Sequence, residues 1–99
     1  MKTFFNVHPG EVLKEYLEEL NISAYQLSKS IGISQSYFSE LFKKKKNVTA
    51  RTSILLGKFF NLNDEYWLKI QNHYDVIEEK RKLKSKLKTV KPWREKKAA

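Results

Sequence analysis

The residues best suited to chemistry form a short polar run, Ser34-Gln35-Ser36-Tyr37-Phe38-Ser39-Glu40, followed almost at once by Lys43 to Lys46. A glutamine amide matches the paired donor and acceptor of an adenine edge, a serine hydroxyl suits either purine, and an aromatic ring can meet a thymine methyl. Consecutive ammonium groups are phosphate partners that position a protein without reading sequence. The candidate base readers are therefore Gln35, Ser36, Tyr37, Ser39 and Glu40, and the candidate phosphate contacts are Ser34, Lys43, Lys44, Lys45 and Lys46. This is recognition chemistry rather than bond-making chemistry. The chain contains no Ser–His–acid pattern, glycine-rich phosphate loop or His-Glu-x-x-His sequence, and no enzymatic activity is assigned. It has no cysteine, which excludes disulfides, cysteine-based zinc sites and cysteine nucleophiles. His8 and His73 are the only histidines. His8 reads as a cap-region residue and His73 as a surface or interface residue, so neither metal nor cofactor is expected.

Presenting such a run to a groove requires two short helices joined by a tight turn, and the flanking sequence supplies them. Ser23 and Gln26 have the spacing of a capping box, with Ile22 and Leu27 as its hydrophobic staple. Leu27 and Ile31 continue that helix to Gly32, a residue suited to a left-handed C-cap. Ser34 caps the next helix, with Ile33 stapled to Phe38, and Phe38, Leu41 and Phe42 turn inward. Helix, Gly-Ile-Ser turn and helix make the helix-turn-helix pattern, whose second helix offers its first residues to the major groove. The same polar residues also resemble an ordinary capped, solvated helix face. On pattern alone, a helical interaction module that never reads DNA stays open.

Three more helices complete an all-α domain. Pro9 and Glu11 open the first, with Val12, Leu13, Tyr16, Leu17 and Leu20 at helical spacing and Asn21 as its stop. Thr49 caps the fourth, which is expected to bury Ile54, Leu55, Phe59 and part of Leu56, with Gly57 at a close crossing. Asn63 is expected to cap the fifth, with Asp64 and Glu65 in its first turn. Trp67, Ile70, Tyr74 and Ile77 make a stripe on that fifth helix. Part of it is core, and the surplus points to a dimer interface, with Phe4 and Phe5 available to join it. Phe4 to Val7 fit a short extended arm. Leu83, Leu87 and Val90 could prolong a basic amphipathic helix as far as Pro92. The expected organisation is a five-helix domain over residues 1–79 and a basic C-terminal tail, partly helical or disordered, over 80–99.

Ninety-nine residues allow one domain with a small core. The longest apolar run, Ile54 to Gly57, spans no membrane, and no secretory leader is visible, so a cytoplasmic location is expected. The net charge of +9 is segregated rather than mixed. Residues 41–60 carry six basic residues and no acid, and residues 80–99 carry ten against one. Residues 61–79 carry five acids against one lysine, and residues 1–40 five against three. Such blocks imply a polyanionic partner and leave room for a second partner of other character. Glu11, Glu15, Glu18 and Glu19 lie along one broad side of the first helix, as either a plain solvated face or a docking surface.

His8-Pro-Gly-Glu-Val-Leu-Lys-Glu-Tyr-Leu-Glu-Glu-Leu-Asn-Ile-Ser23 resembles the opening of the HigA/VapI-type antitoxins, members of the lambda-repressor-like helix-turn-helix class. The likeness continues through Gly32 to Leu41, Thr49-Ala50, Leu56 to Phe60 and Glu65 to Asp75, and it spans residues 7–78. The resemblance implies an antitoxin that neutralises a RelE-like ribonuclease cleaving messenger RNA. It also implies a homodimer that represses its own operon on double-stranded operator DNA. On that footing Glu11, Glu15, Glu18 and Glu19 are the candidate toxin contacts, because RNA-cleaving enzymes are generally basic. A small repressor of the same fold without a toxin is the alternative. The sequence departs from the family at three places. Ala24 stands where a phosphate-holding glutamine is usual, Ser28 where alanine is usual, and Lys44 in a loop that usually carries glycine. A left-handed Lys44 would cost roughly 1 kcal/mol.

Overall fold

A computed structural model describes residues 6–94. Six helices follow one another: α1 Pro9–Leu20, α2 Ala24–Ile31, α3 Gln35–Phe42, α4 Ala50–Phe60, α5 Tyr66–Lys82 and α6 Lys84–Leu87. No strand occurs among the described residues. Phe4 and Phe5 lie outside them, so the expected arm is represented only by Asn6 and by Val7, which is buried.

The caps account for most boundaries. His8 Nδ1 accepts the Gly10 N–H at 2.9 Å while the Glu11 carboxylate accepts the His8 N–H at 3.2 Å, a capping box closed by histidine. Ser23 and Gln26 close a second box at 3.0 and 2.8 Å. Ser34 and Thr49 cap α3 and α4. Asn21, Gly32 and Asn61 end α1, α2 and α4 in the left-handed conformation.

The core gathers Leu13, Leu17, Leu27, Phe38, Leu41, Val48, Leu56 and Trp67. Beside it Tyr16, Phe60, Tyr66 and Trp67 meet edge to face or tilted, which accounts for the aromatic content of α1, α4 and α5. The Tyr16 and Tyr66 hydroxyls lie 2.9 Å apart, and that hydrogen bond, with burial, pushes the Tyr66 phenol up to about 12.

Four expectations are corrected. The inward face of α4 is Thr52, Ser53, Leu56 and Gly57, while Ile54 is 48% exposed. Ile54, Leu55 and Leu56 are consecutive, so a helix can turn only part of the run inward. The buried Ser53 hydroxyl donates to the Asp64 carbonyl at 2.6 Å and accepts the Leu68 N–H at 3.0 Å, which fastens α4 to the start of α5. That start is Tyr66 rather than Asn63. Asn63 Oδ1 accepts the Glu65 N–H at 2.7 Å, so it organises the turn before the helix, and Asp64 and Glu65 precede the first turn. Trp67 is fully buried and belongs to the core, not to a dimer surface. Finally, α5 ends at Lys82, and a single further turn, α6, replaces a continuous helix to Pro92. Lys80, Lys84 and Lys88 recur four apart, as do Lys82 and Lys86, and like charges at that spacing oppose helix.

The molecule is elongated, 56 × 27 × 24 Å, with a radius of gyration of 17.2 Å against roughly 13 Å for a compact chain of this length. Every residue from 79 to 94 is exposed.

Candidate nucleic-acid interface

The turn between α2 and α3 is built to hold its angle. Gly32 has φ 72°, a conformation that favours glycine, and the Ser28 hydroxyl donates to the Ile33 carbonyl at 2.6 Å. Ser28 is therefore a turn clamp as well as a small residue at a crossing. Phe38 and Leu41 anchor α3 in the core, so the other side of the helix faces out. Gln35, Ser36 and Ser39 are exposed there, and Glu40 is half-buried.

Ser34 accepts the Tyr37 N–H at 3.2 Å, and its hydroxyl stays exposed. Tyr37 is placed differently from the other candidates. It is half-buried, its ring meets Phe38 edge to face, and its hydroxyl donates to the Asn47 carbonyl at 2.6 Å. Burial pushes its phenol up. That hydroxyl bond ties α3 to the far end of the lysine loop.

That loop begins with a Schellman arrangement. The Lys44 N–H donates to the Leu41 carbonyl and the Lys45 N–H to the Glu40 carbonyl, both at 2.9 Å. Lys44 occupies the left-handed position with φ 64°, where glycine is usual. Lys43 to Lys46 are all exposed beside the end of α3. The Lys44 ammonium lies 3.4 Å from Glu11, whose carboxylate thus bridges the lysine loop and the α1 cap.

Sequence reasoning missed the residues that hold the loop from behind. Gln71 is buried on α5; its Oε1 accepts the Val48 N–H at 2.7 Å, and its Nε2 donates to Asp75 at 2.9 Å and to Asn47 Oδ1 at 3.4 Å. The available signal was a glutamine four residues after Trp67, on the inward side of the helix. Gly10 is a second case: a Cβ there would lie 2.1 Å from the Leu41 carbonyl oxygen, so the start of α1 abuts the end of α3. The His8 ring stacks edge to face on Tyr74 at 4.7 Å. Burial first, then the Lys44 charge, lowers the His8 pKa from 6.5.

Of the expected dimer stripe, Ile70, Tyr74 and Ile77 remain half-buried, and Val76 beside them is 57% exposed. Ile70 joins Val7, Val12, Tyr66, Lys69 and His73 around a mostly apolar groove. Among the described residues no group of three or more His, Cys, Asp or Glu is placed to hold a metal ion, and no helix is long and apolar enough to cross a membrane.

The helix-turn-helix family profile matches residues 13–67, which include α2, α3 and the lysine loop. The chain is 35% identical over 71 residues to virulence-associated protein I of Dichelobacter nodosus, covering 71% of this chain and 66% of that protein. It is 31% identical over 87 residues to antitoxin HigA-1 of Vibrio cholerae, covering 87% of this chain and 82% of that one. The solved structure of an addiction module antidote protein of a HigA family from Coxiella burnetii matches with a TM-score of 0.84 at 36% identity, over 88% of this chain and 97% of its own. With its capped helix pair, exposed α3 face and these likenesses, the chain belongs to the HigA/VapI-type group of the helix-turn-helix family.

Proposed function

We propose that this protein is the antitoxin of a type II toxin–antitoxin pair: it neutralises a RelE-like, messenger-RNA-cleaving toxin and represses its own operon in the cytoplasm as a homodimer. The observation that carries the DNA half is the exposed row Gln35, Ser36 and Ser39 on α3 beside the exposed lysines 43–46. Gln35 reads a base edge, Ser36, Ser39, Glu40 and the Tyr37 ring edge support it, and the Ser34 hydroxyl with Lys43 to Lys46 meets phosphate. The toxin half is supported by relatives such as antitoxin HigA-1. Glu15, Glu18 and Glu19 surround a shallow depression with Tyr16 on α1, a surface suited to a basic enzyme. Ile70, Tyr74, Ile77 and Val76 supply the two-fold contact, which sets the two copies of α3 about one DNA turn, ~34 Å, apart.

One pair of measurements tests this reading: titration against duplex from upstream of its own gene, and co-purification with the product of the adjacent gene. Salt-dependent, sequence-selective duplex binding together with a stable complex is expected. Binding to duplex with no toxin partner would make the chain a stand-alone repressor. Absence of duplex affinity would make it a helical interaction module. Reversing charge with Glu18→Lys and Glu19→Lys should dissolve the toxin complex and leave duplex binding intact; an undisturbed complex removes the acidic face from the proposal.

A further inference from the structure

Beyond α5 the chain presents a surface that operator reading by α3 does not use. Residues 80–94 contain eight lysines and arginines and no acid, and all fifteen are exposed. Arg81 pairs with Glu78 at 3.3 Å, and among the described residues none of the other seven basic side chains has an ion-pair partner. Four apolar side chains are spaced among them: Leu83 at 36% exposed, Leu87 at 47%, Val90 at 58% and Trp93 at 82%. The segment leaves the domain next to the lysine loop. Lys82 and Asn47 line one groove together with Tyr74, Asp75, Glu78 and Glu79. Asp75 is held by Gln71, and Glu78 by Asn6 and Arg81. The root of the second basic block and the end of the lysine loop, far apart in sequence, thus share one groove, whose lining also includes the three carboxylates.

We propose that residues 80–94 form a second, sequence-independent DNA surface that runs along the duplex flanking the site read by α3. The proposal rests on the DNA-binding reading above. Charge complementarity and the shared root with the lysine loop select this occupant. A second copy of the same segment would bring eight positive charges against eight. Insertion into a membrane or packing on a partner helix would require a continuous apolar face, whereas among the described residues only Lys84–Leu87 is helical beyond Lys82. A duplex requires no such face, since its phosphates recur along the whole length and each lysine can find one. Trp93 lies at the outer end, where its ring can rest against sugars or a groove edge.

The test compares the full chain on two duplexes: the protected operator alone, and the same operator with one extra helical turn on each side. Trp67 is buried and Trp93 exposed, so iodide quenching of fluorescence reports Trp93. A Trp93→Phe variant assigns the signal. We expect the flanked duplex to bind about tenfold more tightly near 50 mM salt, with a log–log salt slope steeper by about 0.9 for each added phosphate contact. We also expect it to shield Trp93 from iodide. A Lys84→Gln, Lys86→Gln, Lys88→Gln and Lys91→Gln variant leaves Leu83 and Leu87 in place. It should lose the flank advantage while binding the trimmed operator as before. Equal affinity for both duplexes, or an advantage that survives in this variant, overturns the proposal and leaves operator reading standing. Preference for single-stranded RNA or phosphatidylserine vesicles over flanked duplex at the same salt overturns it in favour of that partner. Absence of binding to either duplex overturns the DNA-binding reading itself and this proposal with it.

Discussion

Gln35 stands exposed on the first turn of α3, with its amide free of any protein partner among the described residues. Replacing it with Ala should cost about 1–3 kcal/mol on the operator and little on random duplex. Parallel titrations check this, and an equal loss on both would take base reading away from Gln35. Lys44 makes the opposite kind of prediction. Its left-handed backbone is unfavourable for a side chain by roughly 1 kcal/mol. Its exposed ion pair with Glu11 returns only about 0–1 kcal/mol. Lys44→Gly should therefore leave stability unchanged or raise it by up to about 1 kcal/mol, while DNA affinity falls. Denaturant unfolding and operator titration of the same variant separate the two effects. This strain was legible only through the family resemblance, whose loop usually carries glycine where this chain has Lys44. The commitment of the Tyr37 hydroxyl was not, because its partner is a backbone carbonyl ten residues away.

At the scale of elements, the loop that follows the reading helix is secured by a different helix. Gln71→Leu leaves the Val48 N–H buried without an acceptor, a loss of about 1–3 kcal/mol. DNA affinity should fall beyond what stability explains, because Lys43 to Lys46 lose their fixed path. Thermal unfolding and operator titration at a temperature where the variant is fully folded test both parts. The α1 cap brings pH dependence. The folded state holds the His8 pKa below 6.5, so below about pH 6.5 the unfolded chain takes up a proton that the folded chain refuses. The contribution of His8 is complete above that pH and is lost as pH falls toward the lowered value. Stability should decline between pH 7 and 5.5, and His8→Asn, which keeps a cap acceptor, should flatten the decline. An unchanged slope would move its origin elsewhere. Helix ends were legible wherever a side chain caps its own helix, as at Ser23, Ser34 and Thr49. They were misread where Asn63 shapes a turn instead, and α4 was misoriented because three consecutive apolar residues carry no phase.

At the scale of the whole molecule, the fold class and the helix pair were legible from caps, glycine and charge blocks. The groove shared by Lys82 and Asn47 was not, since it depends on where α5 passes the end of the lysine loop. The long shape has a hydrodynamic consequence. A radius of gyration of 17.2 Å is that of a compact protein of about 220 residues, more than twice this chain. Friction follows dimensions rather than mass, so a single copy should leave a sizing column well ahead of a globular protein of 11.8 kDa and pass for a dimer. Light scattering across the same peak reports mass independently of shape. It should read twice the chain mass if the α5 contact forms, and a single chain mass at that early elution position would assign the whole displacement to drag from the protruding end.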